Sequence, residues 1–321
     1  MKRKLNYSQI FKILLLVSIG CFLILFLQHI DFKALWQLLA QIGWRFSFLI
    51  AITGFAYMLG SLGWLFCFPP RRNRPSLGRL FIVRQITEMV STFNPTHIIA
   101  GDILKAKLLK DKDMPLVDIR NSVVIARLNT ILSQLFLLAL TVAYLVFQSP
   151  LTDQVFLSIL LLFILLILVV SIYFLVKKKP MEIQVYTGTK YLQKIKFKCL
   201  EMYIQGSAFY REHPVSCGIS FSCFLAHWII GASELYYIFI LLQLSIPLID
   251  AIWLDMGITV LKSVGGFIPG QLGVEELANR LLLASLGISS TFIWIGVSLL
   301  RRARQLFWLV FASISYPLFK P

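Results

Sequence analysis

The chain has 321 residues, of which 58% are hydrophobic and only 14% charged, with a formal net charge of +16. That much apolar surface excludes a soluble globular domain and calls for a membrane as solvent. The basic residues cluster in short loops beside apolar runs, the cytoplasmic-loop bias of membrane proteins, so the charge points to anionic lipid headgroups and not to nucleic acid.

A crossing helix needs about 20 apolar residues. In chain order, full spans are expected at Ile10–Ile30, Trp44–Phe66, Asn121–Phe147, Val155–Val176, Cys217–Leu244 and Thr291–Tyr316. Lys2-Arg3-Lys4 precedes the first, which lacks a small-residue cleavage site and is read as an uncleaved helix with a cytoplasmic N-terminus. Two broken apolar stretches remain, Leu80–Leu104 and Ala251–Leu286. Arg71, Arg72, Arg74 and Arg79 flank the former on one side and Lys105, Lys107, Lys110 and Lys112 on the other. It should therefore enter and return on the cytoplasmic side, turning at Asn94-Pro95, where proline stops a helix. Ala251–Leu286 starts beside Asp250 after an outward span and should be re-entrant from the opposite face; a full span plus a short helix is the alternative. The basic stretch 177–214 is the largest segment outside the membrane, either a helix lying on anionic lipid or a solvated linker of short helices.

The two broken stretches read as copies. Phe93 through Asp102 and Phe267 through Glu276 align without a gap, and each closing acid is followed 25 residues later by an arginine, Arg127 and Arg301 (127 − 102 and 301 − 276). Span, broken segment, span occurs twice, over about 44–147 and 217–316, within a single polytopic domain covering 1–321. This is the pattern of an inverted-topology repeat, which places a substrate site near the midplane. The expected fold is thus all-α: about six full spans plus two re-entrant helical hairpins.

Charged side chains within a bilayer are costly and usually line a cavity. The candidates are Glu88, Asp102, Arg127, His227, Glu234, Asp255, Lys262, Glu275, Glu276, Arg280, Arg301, Arg302 and Arg304. Each has a structural alternative: Glu88 can pair with Arg84 on one helical face, Arg304 can snorkel to the interface, and His227 suits a helix–helix hydrogen bond. Adjacent helix positions point about 100° apart, so at most one of Arg301 and Arg302 easily meets a given partner. Half-helix ends after Pro95 and Pro269 would offer free N–H groups to an anion such as a lipid phosphate. Arg127 with Arg301 or Arg302 would add permanent cationic donors, balanced by Asp102, Glu275 and Glu276. Gly270 and Gly273 permit close backbone approach and turn dihedrals.

Signals for enzyme chemistry are weak. HExxH, GxSxG, P-loop and Cys/His metal spacings do not occur. Of the four histidines, only His97, in the first broken loop, suits proton transfer. Cys21, Cys67, Cys199, Cys217 and Cys223 form no CxxC pair and are expected as inert free thiols, with no metal and no cofactor.

At these residues the chain resembles the transmembrane, flippase-like domain of bacterial lysylphosphatidylglycerol synthases and their stand-alone relatives. The resembling motifs are Asn94-Pro95 through Gly101-Asp102 with Lys105, Val124 through Leu128 around Arg127, Phe267 through Glu275, and Leu299-Leu300-Arg301-Arg302. Lys105 stands where the family often has arginine, and Asn129 where it usually has an acid. The chain ends soon after its last span, so the soluble aminoacyl-transfer domain is expected to be absent. The resemblance implies a multi-pass protein of the bacterial cytoplasmic (inner) membrane that translocates or binds a phospholipid or other amphiphile, without synthesising lysyl-lipid. It implies a substrate site at Pro95, Gly101, Asp102, Lys105, Arg127, Pro269, Gly270, Gly273, Glu275, Glu276, Arg301 and Arg302. A membrane enzyme acting on a lipid phosphate, or transferring a group to lipid, is the competing reading. A lipid-presenting subunit is a third, and homo-oligomerisation stays open.

Overall fold

A computed structural model describes residues 32–70, 74–93, 97–110, 114–148, 151–176, 204, 206–264, 271 and 273–319. The expected first span, the turn at Asn94-Pro95, the Pro269-Gly270 loop and most of the basic segment lie outside them. Among the described residues every regular element is helical.

The helices are α1 (Phe32–Ile42), α2 (Phe46–Leu65), α3 (Leu77–Phe93), α4 (His97–Leu108), α5 (Leu116–Gln148), α6 (Leu151–Val176), α7 (Pro214–Leu241), α8 (Leu248–Val264), α9 (Val274–Ser285) and α10 (Thr291–Ser315). Local chemistry sets several of their starts. Pro214 opens α7, while Pro115 and Pro247 immediately precede α5 and α8, where a missing N–H costs nothing. Ser76 precedes α3, and its hydroxyl accepts the Arg79 N–H at 3.3 Å, an N-cap bond. Beyond the far end of α2, Arg74 pins the following turn by donating to the carbonyls of Pro69 (2.8 Å) and Phe68 (2.9 Å).

Four stretches are long and apolar enough to cross a membrane: Trp36–Leu65, Leu116–Phe147, Gln154–Tyr173 and Pro214–Leu241. They fall on four of the six expected spans. The last expected span is a 25-residue helix, α10, but Arg301, Arg302 and Arg304 interrupt its apolar run. The chain is therefore an α-helical, multi-pass membrane protein. α6 presents Phe156, Leu162, Phe163, Leu166 and Val169 outward, the face expected of a helix solvated by lipid.

Each broken stretch is two helices of matching length: 17 then 12 residues in α3 and α4, and 17 then 12 in α8 and α9. In both, the second helix folds back on the first. A Cβ built on Gly101 of α4 would collide with the Ser91 hydroxyl of α3. Residues ten apart on one straight helix would be separated by about 15 Å. Likewise a Cβ on Gly257 of α8 would come within 2.9 Å of Leu282 on α9.

The chain divides into two compact units. The first comprises Met1–Thr53, Ile82–Leu108 and Ala232–Pro321. Its apolar core joins Leu38 and Ile42 of α1, Leu49 of α2, Leu235 and Phe239 of α7, Leu254 and Ile258 of α8, Ala278 and Leu283 of α9, and Val297 and Leu300 of α10. The second comprises Gly54–Phe81 and Leu109–Gly231. It is knit by a buried polar set in which Asn129 donates to Ser220 (2.8 Å) and accepts from the Tyr210 hydroxyl, while Cys67 sits 3.2 Å from Ser220. Every polar group in that set has a partner, as buried groups require.

Candidate functional site

The polar interior of the first unit is a network of four carboxylates and four cations on α7, α8, α9 and α10. Gly273 precedes α9 with φ of 78°, a left-handed conformation that glycine adopts without strain. It sets Glu275 and Glu276 in the first turn of α9, where the helix dipole favours acids. The two point about 100° apart, as do Arg301 and Arg302 on α10. The result is two separate pairs. Arg302 donates to Glu276 Oε1 at 2.6 and 3.1 Å, and Arg301 Nη1 lies 3.5 Å from Glu275 Oε1.

Arg301 also donates to Asp255 of α8. Glu275 Oε2 receives Lys262 Nζ and Gln305 Nε2, each at 3.1 Å. Gln305 in turn accepts from Arg302 at 3.2 Å. Arg304 donates to Glu234 of α7, so it is drawn inward instead of snorkelling to the interface. Burial is deep: side-chain exposure is 2% for Glu275, 3% for Glu234 and 5% for Arg301. Each cation meets a carboxylate, and the network is formally neutral.

Pairing is nevertheless incomplete atom by atom. Glu234 Oε1, Glu275 Oε1, Arg301 Nε and Arg304 Nε are buried without a hydrogen bond among the described residues, although each side chain is paired through its other atoms. Removing one partner from such a network costs about 3–5 kcal/mol, because it strands a buried charge.

The other expected site residues fall elsewhere. Asp102 pairs along its own helix with Lys105 at 3.1 Å, on a more exposed surface. Gly101 serves the close approach of α3 and α4. Arg127 stands half-buried on α5, in the second unit. Pro95, Pro269 and Gly270 lie outside the described residues. Among the remaining charged candidates, Glu88 and Arg280 are exposed. His227 is buried with Nδ1 2.7 Å from the Ala56 carbonyl oxygen, a bond joining α7 to α2 within the second unit. One participant escaped the sequence reading, Gln305, and beside the network's helices α9 and α10 a buried pair forms in which Asn279 donates to Ser298 at 3.1 Å. The available signal was a polar side chain one helical turn after Arg301 in an apolar span. No group of acidic, histidine or cysteine residues among the described residues is arranged to hold a metal.

A buried, charge-balanced network on α7–α10, in a chain with four membrane-length helical stretches, defines a polytopic membrane protein with a polar interior, the class in which intramembrane charge marks function. The chain belongs to the family of the lysylphosphatidylglycerol synthase TM region, whose model matches residues 9–313. That membership places it among membrane proteins related to lipid modification or flipping. No curated protein and no solved structure matches the chain.

Proposed function

We propose that this protein moves a phospholipid, or a lipid-linked headgroup, between the leaflets of the membrane. The observation that carries the reading is the buried network on α7–α10 within a chain that belongs to a lipid-related membrane family. A network kept only for stability is a poor use of a membrane interior, since apolar packing would hold the helices at lower desolvation cost. A headgroup carries the same charges in exchangeable form. Its phosphate suits the bidentate geometry of Arg302 or Arg301, and any ammonium group suits the carboxylate so displaced. The two folded-back helix pairs, with their matching 17- and 12-residue helices, support re-entrant segments in an inverted repeat. Re-entrant helix ends would supply backbone N–H donors to an anionic headgroup.

The test is leaflet-resolved lipid flipping in proteoliposomes containing the purified chain and phosphatidylglycerol with a fluorescent acyl tail. The expected result is loss of signal protection from a membrane-impermeant quencher faster than in protein-free vesicles. Equal rates would refute the reading.

A further inference from the structure

The Glu276–Arg302 pair is unlike the other ion pairs of the network. Its carboxylate side chain is 31% exposed, against 2% for Glu275, 3% for Glu234 and 13% for Asp255, while Arg302 behind it is only 6% exposed. A reachable acid thus covers a buried guanidinium. The coordination is also lopsided. Arg302 Nε and Nη2 both donate to Glu276 Oε1, at 3.1 and 2.6 Å, while the second carboxylate oxygen accepts the Gly273 N–H at 3.0 Å. That edge of a guanidinium suits two oxygens, one for each N–H. In this pair its two N–H groups share a single oxygen. A phosphodiester carries two non-bridging oxygens and would fill the edge.

Charge sets the other half of the requirement. The network is formally neutral among the described residues. Arg280, one turn beyond Glu276 on α9, is exposed and stands outside it. A phosphodiester that takes Arg302 from Glu276 strands a carboxylate, and a stranded partner of a buried pair is costly. A headgroup that brings its own cation avoids this. Its phosphate takes Arg302, its cation takes Glu276, and the sum stays zero. Glu276 accepts N–H bonds in the resting pair, so the replacing cation must donate N–H bonds too. A primary ammonium does so, and a trimethylammonium does not.

Resting on the flipping reading above, we infer that the Glu276–Arg302 pair is an exchange site for a zwitterionic phosphodiester bearing one primary ammonium, as in a phosphoethanolamine headgroup. No covalent bond forms or breaks, and no proton moves. An anionic phosphoglycerol headgroup leaves Glu276 without a cation. A headgroup with two ammonium groups, such as the lysyl ester of phosphatidylglycerol, leaves a positive excess.

The test is calorimetric titration of the full chain in an uncharged maltoside detergent, corrected with protein-free micelles. The probes are the dihexanoyl forms of phosphatidylethanolamine, phosphatidylcholine, phosphatidylglycerol and the lysyl ester of the last. The ethanolamine lipid should bind about tenfold tighter than each of the others, the worth of one charge-assisted hydrogen bond. Glu276→Gln removes the accepting charge, so it should abolish that preference and bind the glycerol lipid at least as tightly as the ethanolamine lipid. Equal or tighter binding of any other probe by the wild-type chain overturns the assignment and leaves the flipping reading intact. A preference that survives Glu276→Gln overturns it too, because selection then occurs elsewhere. No binding of any probe overturns both. Glycerophosphoethanolamine, the deacylated headgroup, separates the sources: binding like that of the lipid assigns the site to such zwitterions generally, and binding of the lipid alone assigns it to a membrane headgroup. The wild-type order of affinities decides the matter even if Glu276→Gln does not fold.

Discussion

Glu276 holds Arg302 with one carboxylate oxygen, at 2.6 and 3.1 Å, and with the other accepts the Gly273 N–H at 3.0 Å. One side chain therefore starts α9 and ties it to α10. The two roles separate on substitution. Glu276→Gln keeps an oxygen for the N–H but loses the charge, whereas Glu276→Ala loses both. The cap is worth about 1 kcal/mol. The Glu276 side chain is 31% exposed but its partner Arg302 only 6%, so losing the carboxylate charge leaves a buried cation with Gln305 as its remaining neutral acceptor. Melting in detergent should accordingly show Glu276→Gln below the parent and Glu276→Ala lower still, by about the value of the cap. If the site moves lipid, Glu276→Gln also slows flipping at unchanged fold. A parental flip rate in a monodisperse Glu276→Gln protein would remove Glu276 from the site.

Arg301 bridges Asp255 and Glu275, and its side chain is 5% exposed. Arg301→Gln strands two buried carboxylates near each other, at a cost of about 3–5 kcal/mol. Adding Asp255→Asn removes one of them. The double variant should recover a substantial part of the loss, as expected of residues in contact. Thermal unfolding of the four proteins in one detergent gives the coupling. Strictly additive losses would mean that the two groups do not sense each other.

Much of this site was legible as composition and little of it as geometry. Glu234, Asp255, Lys262, Glu275, Glu276, Arg301, Arg302 and Arg304 announce themselves as charge in apolar sequence. Their pairing does not, because it depends on which helix faces which. The 25-residue spacing joins Glu276 to Arg301, whereas the contact joins Glu276 to Arg302, 26 residues on. Asp102, at the same spacing from Arg127, pairs with Lys105 one turn away. The helix breaks were readable because proline and glycine act locally. Asn129, a departure from the family pattern, proves to be the hub of a neutral hydrogen-bonded set with Tyr210 and Ser220.

Gly101 lies against the Ser91 hydroxyl with no room for a methyl group. Gly101→Ala should cost about 1–3 kcal/mol, the usual penalty for overpacking. Ser91→Ala removes the colliding oxygen, so the Gly101→Ala, Ser91→Ala double variant should melt above Gly101→Ala alone. A double variant no more stable than the single would show that α3 and α4 do not approach at this point.

Cys67 is buried just beyond α2, and burial pushes its thiol up to about 12. Ser220 and Asn129 contacts oppose the shift without reversing it. The thiolate is the reactive form, so at pH 7.5 almost none is present. In a variant retaining only this cysteine, maleimide labelling in mild detergent should be far slower than after denaturation. Rapid labelling of the folded protein would contradict the burial and the shift together.

The proposed re-entrant path of α3 and α4 makes a topological prediction. At about 1.5 Å per residue, the 17-residue α3 is near 26 Å and the 12-residue α4 near 18 Å, against a hydrocarbon core of about 30 Å. Each is short for a crossing, and the Gly101–Ser91 approach turns the second back along the first. Entry and exit should share one face, and the basic residues at Arg74, Arg79, Lys107 and Lys110 make that face cytoplasmic. Gly78 and Lys110 suit cysteine probes: both are exposed, and a Cβ at Gly78 meets nothing within 4 Å. In a background without native cysteines, Gly78→Cys and Lys110→Cys should both react with a membrane-impermeant maleimide in inside-out vesicles. Neither should react in intact cells. Labelling from opposite faces would make α3–α4 a crossing segment, and with it the inverted repeat would fail.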